Sequence, residues 1–335
     1  MGSPQRGPGS DRVLNRDRLD PVGVVFIVVA AMGFGTLGPL ARFASDVGFT
    51  AVSFALWRAF SAVIALLAFL AVGVALQRVP ATRLTAISRT EWLQLAVMGG
   101  FVAGTTVSLF FAFERTTIAA ELIVFYTFPV WVALAAAPVF GEHLGPRKLA
   151  AMALSGVGLV LLLASPSEAE DGAIDLIGVG LALAASLCQT GFALVGAGGF
   201  RSVPPLQSAA LLRTFSLLIY LLALVPLLIL LGQGATITDP LGSVEAWMLI
   251  LTAGVLGAAI PAVLIISGYR RVGPTRGAVL MLVEPVTGVF LAALLLAEQP
   301  TLLQLAGGLL VLIGAALVQL APVSRPAPET QPATE

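Results

Sequence analysis

The chain of 335 residues is 58% hydrophobic and 11% charged, carries no formal net charge and has a mean hydropathy of +0.99. That leaves too little polar surface for a soluble domain, so the sequence reads as an integral membrane protein, and its charge balance gives no reason to expect a nucleic-acid partner. One cysteine, Cys188, and one histidine, His143, exclude an intramolecular disulfide and a zinc site.

Residues 1–20 are polar and rich in Gly, Pro, Arg and Asp, which predicts a disordered cytoplasmic tail. The apolar run that follows is longer than a signal-peptide core and is followed by many more, so it reads as a retained first helix. A helix needs roughly 20 apolar residues to cross about 30 Å of hydrocarbon. Ten segments approach that length: 22–43, 51–76, 93–113, 118–140, 149–165, 176–200, 204–231, 246–268, 275–297 and 302–321. The connectors are short and polar, and the Pro-rich stretch 322–335 reads as a second disordered cytoplasmic tail.

The first span holds Gly33-Phe34-Gly35-Thr36-Leu37-Gly38, a match to the dinucleotide fingerprint. That fingerprint requires a preceding strand, and here it lies inside a membrane span, so helix packing or a local break is expected. In the second span Arg58 sits roughly 10 Å deep, and in the seventh Arg213 sits roughly 14 Å deep, approached from the opposite face. An intramembrane charge costs at least about 2.5 kcal/mol, so each needs a reason. Arginine offers a planar fork matched to carboxylate or phosphate, which makes both candidates for anion contacts. Snorkelling or binding of backbone carbonyls is the structural alternative. The third span carries Thr105, Thr106 and Ser108, and Gly100 with Gly104 suits close helix packing.

The fourth span opens with Glu121, close enough to its outer end that a solvated position is expected. Glu121 shares a helical face with Phe125, Phe128 and Val132, flanked by Tyr126 and Trp131, an aromatic wall suited either to an amphipathic substrate or to packing. Pro129 in this span and Pro285 in the ninth each remove a backbone donor in mid-helix, so both are hinge candidates. The sixth span supplies Ser186, Gln189 and Thr190, of which Gln189 is a candidate substrate contact. Glu284, directly before Pro285, is the acid of most interest. In a cleft of low dielectric it can take up and release a proton, which would couple transport to a proton gradient; pairing with Arg213 is the alternative.

The two halves repeat. Phe128-Pro129-Val130 ending in Gly141-Glu142 matches Glu284-Pro285-Val286 ending in Ala297-Glu298, and Arg58 matches Arg213. The predicted units are 21–166 and 173–321, with five spans each. An odd number inverts the second unit relative to the first, the plan of many secondary transporters. Fourteen cationic residues fall on the N-terminal side, from Arg6 to Arg325, against Arg42 and Arg115 on the other. Both termini are therefore expected in the cytoplasm. The acids Glu168, Glu170, Asp171 and Asp175 fall outside, whereas Glu142 and Glu298 read as interfacial.

In these features the chain resembles the drug/metabolite transporter superfamily, EamA type, over about 22–321. It departs at Ala297, where glycine is found, and at His143, where Arg is common. The resemblance implies an all-α polytopic membrane protein of ten transmembrane helices in two inverted five-helix repeats. It further implies a plasma-membrane carrier exporting an amino acid or related metabolite, with protons as the candidate coupling ion and a homodimer compatible with the reading. Cationic drugs are the competing substrates. A membrane-embedded enzyme acting on lipids would need a cluster of acids or histidines that the sequence does not supply. No phosphate loop or nucleophile elbow appears, so no cofactor is expected.

Overall fold

The computed structural model describes residues 20–320, apart from 114, 116–117, 142–143, 164–174, 201, 231 and 297–299. Both predicted tails beyond residue 20, the acids Glu168, Glu170 and Asp171, and Glu142, His143, Ala297 and Glu298 lie outside the described residues.

Every regular element among the described residues is helical. In chain order they are α1 (Pro21–Gly35), α2 (Leu37–Asp46), α3 (Ala51–Ala75), α4 (Arg89–Phe113), α5 (Ile118–Phe125), α6 (Phe128–Phe140), α7 (Pro146–Leu163) and α8 (Leu176–Gly198). Then come α9 (Pro205–Ile219), α10 (Val225–Leu230), α11 (Val244–Gly254), α12 (Ile260–Val272), α13 (Pro274–Leu280), α14 (Val283–Leu295) and α15 (Leu302–Leu320). Starts are set by side chains that accept the orphan N–H groups of the first turn. Asp20 accepts from Gly23 N at 3.0 Å, Asp175 from Ile177 N at 2.9 Å and Ser243 from Ala246 N at 3.0 Å. Thr50 and Ser53 cap reciprocally at the start of α3.

Eight helical runs are long and apolar enough to cross a membrane: Pro21–Asp46, Val52–Ala75, Arg89–Leu109, Glu121–Phe140, Leu176–Gly198, Pro205–Leu230, Val244–Val272 and Pro274–Leu295. The fifth and tenth expected spans are helical too, as α7 and α15, and these two pack along each other. The molecule is thus an all-α polytopic membrane fold.

Several spans are interrupted. Thr36 separates α1 from α2 within the glycine-rich motif, its hydroxyl donating to the Gly33 carbonyl at 2.7 Å. Turns at Tyr126–Thr127 and Met281–Leu282 separate α5 from α6 and α13 from α14. Pro129 and Pro285 therefore do not kink continuous helices, as the sequence suggested. They lie in the first turns of α6 and α14, where the missing N–H has no intrahelical partner in any case. Two wide π turns, Tyr220–Leu224 and Val255–Ala259, lie between α9 and α10 and between α11 and α12. Each precedes a proline, Pro226 or Pro261, whose ring excludes the ordinary i−4 bond.

Helix contacts are close where glycines remove side chains. A Cβ on Gly307 of α15 would lie 2.5 Å from the Gly158 carbonyl oxygen on α7, and one on Gly158 2.7 Å from the Gly307 oxygen. Gly104 packs against Cys188, whereas Gly100 meets nothing and opens on an apolar groove of about 300 Å³ between α4 and the α9–α10 run, so only one of this pair serves packing. The interior is filled by large buried side chains, among them Ile27, Leu66, Met98, Phe128 and Tyr269.

Forcing a branched side chain into the α7–α15 contact should separate the helices. Gly307→Val is expected to destabilise by about 1–3 kcal/mol, seen as a lower thermal midpoint in detergent. Gly156→Ala, which meets no atom within 4 Å, should leave the midpoint unchanged or raise it. Equal midpoints for the parent and Gly307→Val would show that the contact yields without cost.

Candidate functional site

Two helix crossings set the positions of the intramembrane arginines. On one, Ser61 of α3 donates to the Ile250 carbonyl of α11 at 2.9 Å, and Gly254 leaves room for the serine. On the other, Ser216 lies on α9 and Gly99 on α4, where an added Cβ would stand 2.7 Å from the Leu212 carbonyl oxygen. Arg58 and Arg213 are each three residues before the crossing serine, one helical turn away. Both crossings thus aim a guanidinium at the same interior region, where α3 packs on α9.

The charges meet there. Arg58 interacts electrostatically with Glu284 and Tyr220, and Arg213 with Arg58 and Tyr220. Glu284 sits in the first turn of α14 and shares a hydrogen bond with the Tyr126 side chain at the α5–α6 break. Its charged neighbour is Arg58, not the Arg213 considered from sequence. The glycine motif of α1 brings α14 close: a Cβ on Gly35 would lie 2.8 Å from the Glu284 carbonyl oxygen. Helix α6 packs on α13, which brings the two broken spans together. Tyr126 is buried and ring-packed on Phe125 at 5.0 Å and Phe128 at 6.3 Å, whereas Arg58, Arg213 and Glu284 keep part of their surface accessible. Side chains from four separate helical runs thus share one interior neighbourhood, three of them partly accessible and Tyr126 buried.

Neither guanidinium forms an ion pair or a hydrogen bond with the described residues, and Arg213 Nε is buried without a partner. Tyr269, 0% exposed on α12, also interacts with Glu284, and its hydroxyl lacks a partner. Sequence reading missed Tyr220 and Tyr269. Tyr220 lies seven residues past Arg213 and so on the same helical face, a legible signal. Nothing local marks Tyr269.

Other candidates lie elsewhere in the description. Glu121 is not solvated as the sequence suggested: it is 0% exposed, and neither carboxyl oxygen has a hydrogen-bond partner among the described residues. The cause is the packing of α5 against α7 and α8, which closes over this turn. Trp131 is exposed and donates to the Thr127 hydroxyl at 3.1 Å. Gln189 on α8 is half-buried and makes no hydrogen bond with the described residues. Its neighbours Ser186 and Thr190 are buried; Ser186 meets the Thr127 hydroxyl at 3.1 Å beside the break. Among the described residues no three His, Cys, Asp or Glu side chains gather as metal ligands.

The ends of the bundle differ. At the end that holds Asp20, the Glu91 carboxylate accepts from Ser202 N at 2.8 Å, Ser202 Oγ at 2.7 Å, and Ser88 N and Oγ at 3.2 and 2.9 Å. Gln207 exchanges two bonds with the Thr82 backbone at 2.8 and 2.7 Å, and Thr82 Oγ1 donates to the Ser202 carbonyl. Arg270 donates to the Val203 carbonyl at 3.4 and 3.3 Å and lies over the Phe200 ring. Arg271 pairs with Asp20 at 3.0 Å; the Gly23 N–H and this guanidinium hold the Asp20 carboxyl below its usual range. The opposite end is closed by aromatic packing instead. Trp57 and Trp247 meet at 5.8 Å and donate to the Ile237 and Leu241 carbonyls at 2.7 and 3.1 Å.

Comparison with known proteins agrees with this architecture. The profile of the EamA-like transporter family matches residues 21–164 and again 176–320. An "Uncharacterized transporter" of Archaeoglobus fulgidus is 26% identical over 210 residues, which span 63% of this chain and 70% of that protein. A solved crystal structure shares the fold with a TM-score of 0.70 at 19% identity, covering 89% of this chain and 96% of that one.

The polar latch makes a prediction of its own. Charge-assisted hydrogen bonds contribute about 1.5–3 kcal/mol, so Glu91→Gln should lower the thermal midpoint. Glu245, followed by Trp247 as Glu91 is by Trp92, is the matching acid of the second half and is exposed on α11, so Glu245→Gln should leave the midpoint unchanged. Indistinguishable effects of the two substitutions would remove the latch from the account.

Proposed function

The chain belongs to the EamA-like transporter family, and from that premise we propose that it is a secondary carrier of the plasma membrane, exporting an amino acid or related small polar metabolite. The observation that carries this reading is the meeting of Arg58, Arg213, Glu284 and Tyr126 in one interior neighbourhood beside two broken helices, which we read as the substrate cleft. Discontinuous helices at the middle of the membrane are where carriers of this plan hold substrate. The half-helices α6 and α14 begin near the middle of the spans Glu121–Phe140 and Pro274–Leu295, and the first turn of α14 carries Glu284.

In this reading ten helices form two inverted five-helix units that rock about the cleft. Two successive family matches support the division, as do the two serine–glycine crossings, Ser61 with Gly254 and Ser216 with Gly99, related by a constant offset. The polar latch at one end and the tryptophan closure at the other are the contacts that alternating access has to open in turn. By the cation tally the latch faces the cytoplasm, and both termini lie there. Glu284 is the proton carrier: Arg58, Tyr126 and Tyr269 face it, and binding of a proton or of substrate alters the same balance. Gln189 and Trp131, on α8 and α6 beside the Tyr126–Thr127 break, are secondary contacts in this reading. Glu121, enclosed and without a hydrogen-bond partner among the described residues, is costly as an anion in this state, which makes it the second acid to test. Export of cationic drugs is the competing reading, favoured by the two intramembrane acids.

Two measurements test this. In proteoliposomes, substrate flux by the parent should depend on pH, and Glu284→Gln should abolish that dependence, with a lower thermal midpoint from the lost counter-charge to Arg58 but a cooperative transition that shows the variant folded. Flux through Glu284→Gln that keeps the parent's pH dependence would falsify proton coupling through this residue. Glu121→Gln, isosteric and neutral, should keep or raise the midpoint, since no partner is lost. A fall of several degrees would reveal an interaction of the ionised carboxylate.

A further inference from the structure

The central cleft is unbalanced in charge, and the imbalance specifies a ligand. Arg58 and Arg213 come from α3 and α9 and act on each other as like charges. Glu284 is the carboxylate that acts on this pair, through Arg58, and it already accepts from Tyr126. No ion pair or hydrogen bond joins either guanidinium to the described residues, and Arg213 Nε is buried and unsatisfied. Two like charges side by side in an apolar interior, one of them with a buried unpaired Nε, favour a counter-charge. The missing groups are therefore anionic acceptors, and the guanidinium fork matches a planar carboxylate bidentately.

We infer that the cleft selects a dicarboxylic amino acid, with one carboxylate on each guanidinium and the ammonium on Glu284. This rests on the reading of the cluster as the substrate site and sharpens its chemistry. With Glu284 ionised, the three side chains sum to one positive charge. A dicarboxylic amino acid carries one negative charge and leaves the occupied cleft neutral. A zwitterionic amino acid with a neutral side chain leaves one guanidinium unpaired, and a cation adds to the excess. Glutamate and glutamine are nearly the same shape, so discrimination between them reports the second guanidinium and nothing else. Succinate has both carboxylates and no ammonium, so it reports Glu284.

The experiment uses the full chain in detergent or nanodiscs. Thermal shift and direct binding are measured with L-glutamate, L-aspartate, L-glutamine, succinate and L-arginine, and flux of the same solutes is followed in proteoliposomes. Glutamate or aspartate should bind and be carried, with glutamine and arginine about tenfold weaker or more, because a site built to pair a group rejects the analogue that lacks it. Arg213→Gln should weaken glutamate by about tenfold or more and bring it level with glutamine. Glu284→Gln should weaken glutamate while leaving succinate unchanged or tighter. If either variant fails to fold, the glutamate-to-glutamine ratio on the unaltered protein still decides. Glutamine or arginine binding as tightly as glutamate would overturn the inference while leaving a carrier in place. Absence of binding and flux for the whole panel would overturn both the inference and the assignment of this cleft.

Discussion

In hydrocarbon no water is present to satisfy a free N–H or C=O, so a helix can break within a membrane only where protein or an internal cleft covers the break. The interruptions here follow that constraint. Tyr126–Thr127 is covered by α8, with Ser186 against Thr127, and Met281–Leu282 is fully buried between its two half-helices. Thr36 satisfies its own break with a side-chain bond to Gly33. The breaks could form only because the bundle closes over them, and having formed they place two helix starts, Tyr126 and Glu284 in one region. The meeting of these side chains is thus a consequence of where backbone can be left irregular.

Close packing does the placing. With lipid as apolar as the side chains, helices associate through contact and hydrogen bonding, and small residues permit the approach. Gly99, Gly254, Gly158 and Gly307 bring backbones into contact, and each of the first two fixes a crossing one turn from an arginine. Gly35 does the same for Glu284, and Gly33 packs α1 on Pro261 of α12. Charges that would be intolerable facing lipid are turned inward by residues that have no chemistry of their own.

The two closures use different physics. One end relies on a buried carboxylate with four donors, a glutamine bonded to backbone and an arginine stacked on Phe200. The other relies on two tryptophans that pack and donate to loop carbonyls. The first is held by hydrogen bonds for which water competes, the second by apolar area kept from water. The two halves of the sequence match, yet Glu91 is buried and its counterpart Glu245 exposed. The same asymmetry runs through the interior: Phe128 stands where the other half has Glu284, and the π turns and their prolines occur only in the α9–α12 region of the described residues.

The amino-acid sequence by itself determined the membrane class, the placement of the helical segments and the residues worth watching. Those follow from composition and from the cost of a charge in an apolar run, which are local properties. Arg58, Arg213 and Glu284 were legible for that reason, and Tyr126 as part of an aromatic helical face. Only the tertiary structure decided which of them meet. Glu284 faces Arg58 and Tyr126 rather than Arg213 because α13 packs on α6 and, past the α13–α14 break, α14 packs on α1. Glu121, three residues into a helix, looked solvated by position and is enclosed by α7 and α8. The prolines signalled irregular backbone correctly, but proline suits a helix start as well as a kink, so a break and a bend look alike in sequence. Tyr269 carried no signal at all, since a tyrosine near the end of a span is ordinary until the fold brings a carboxylate to it.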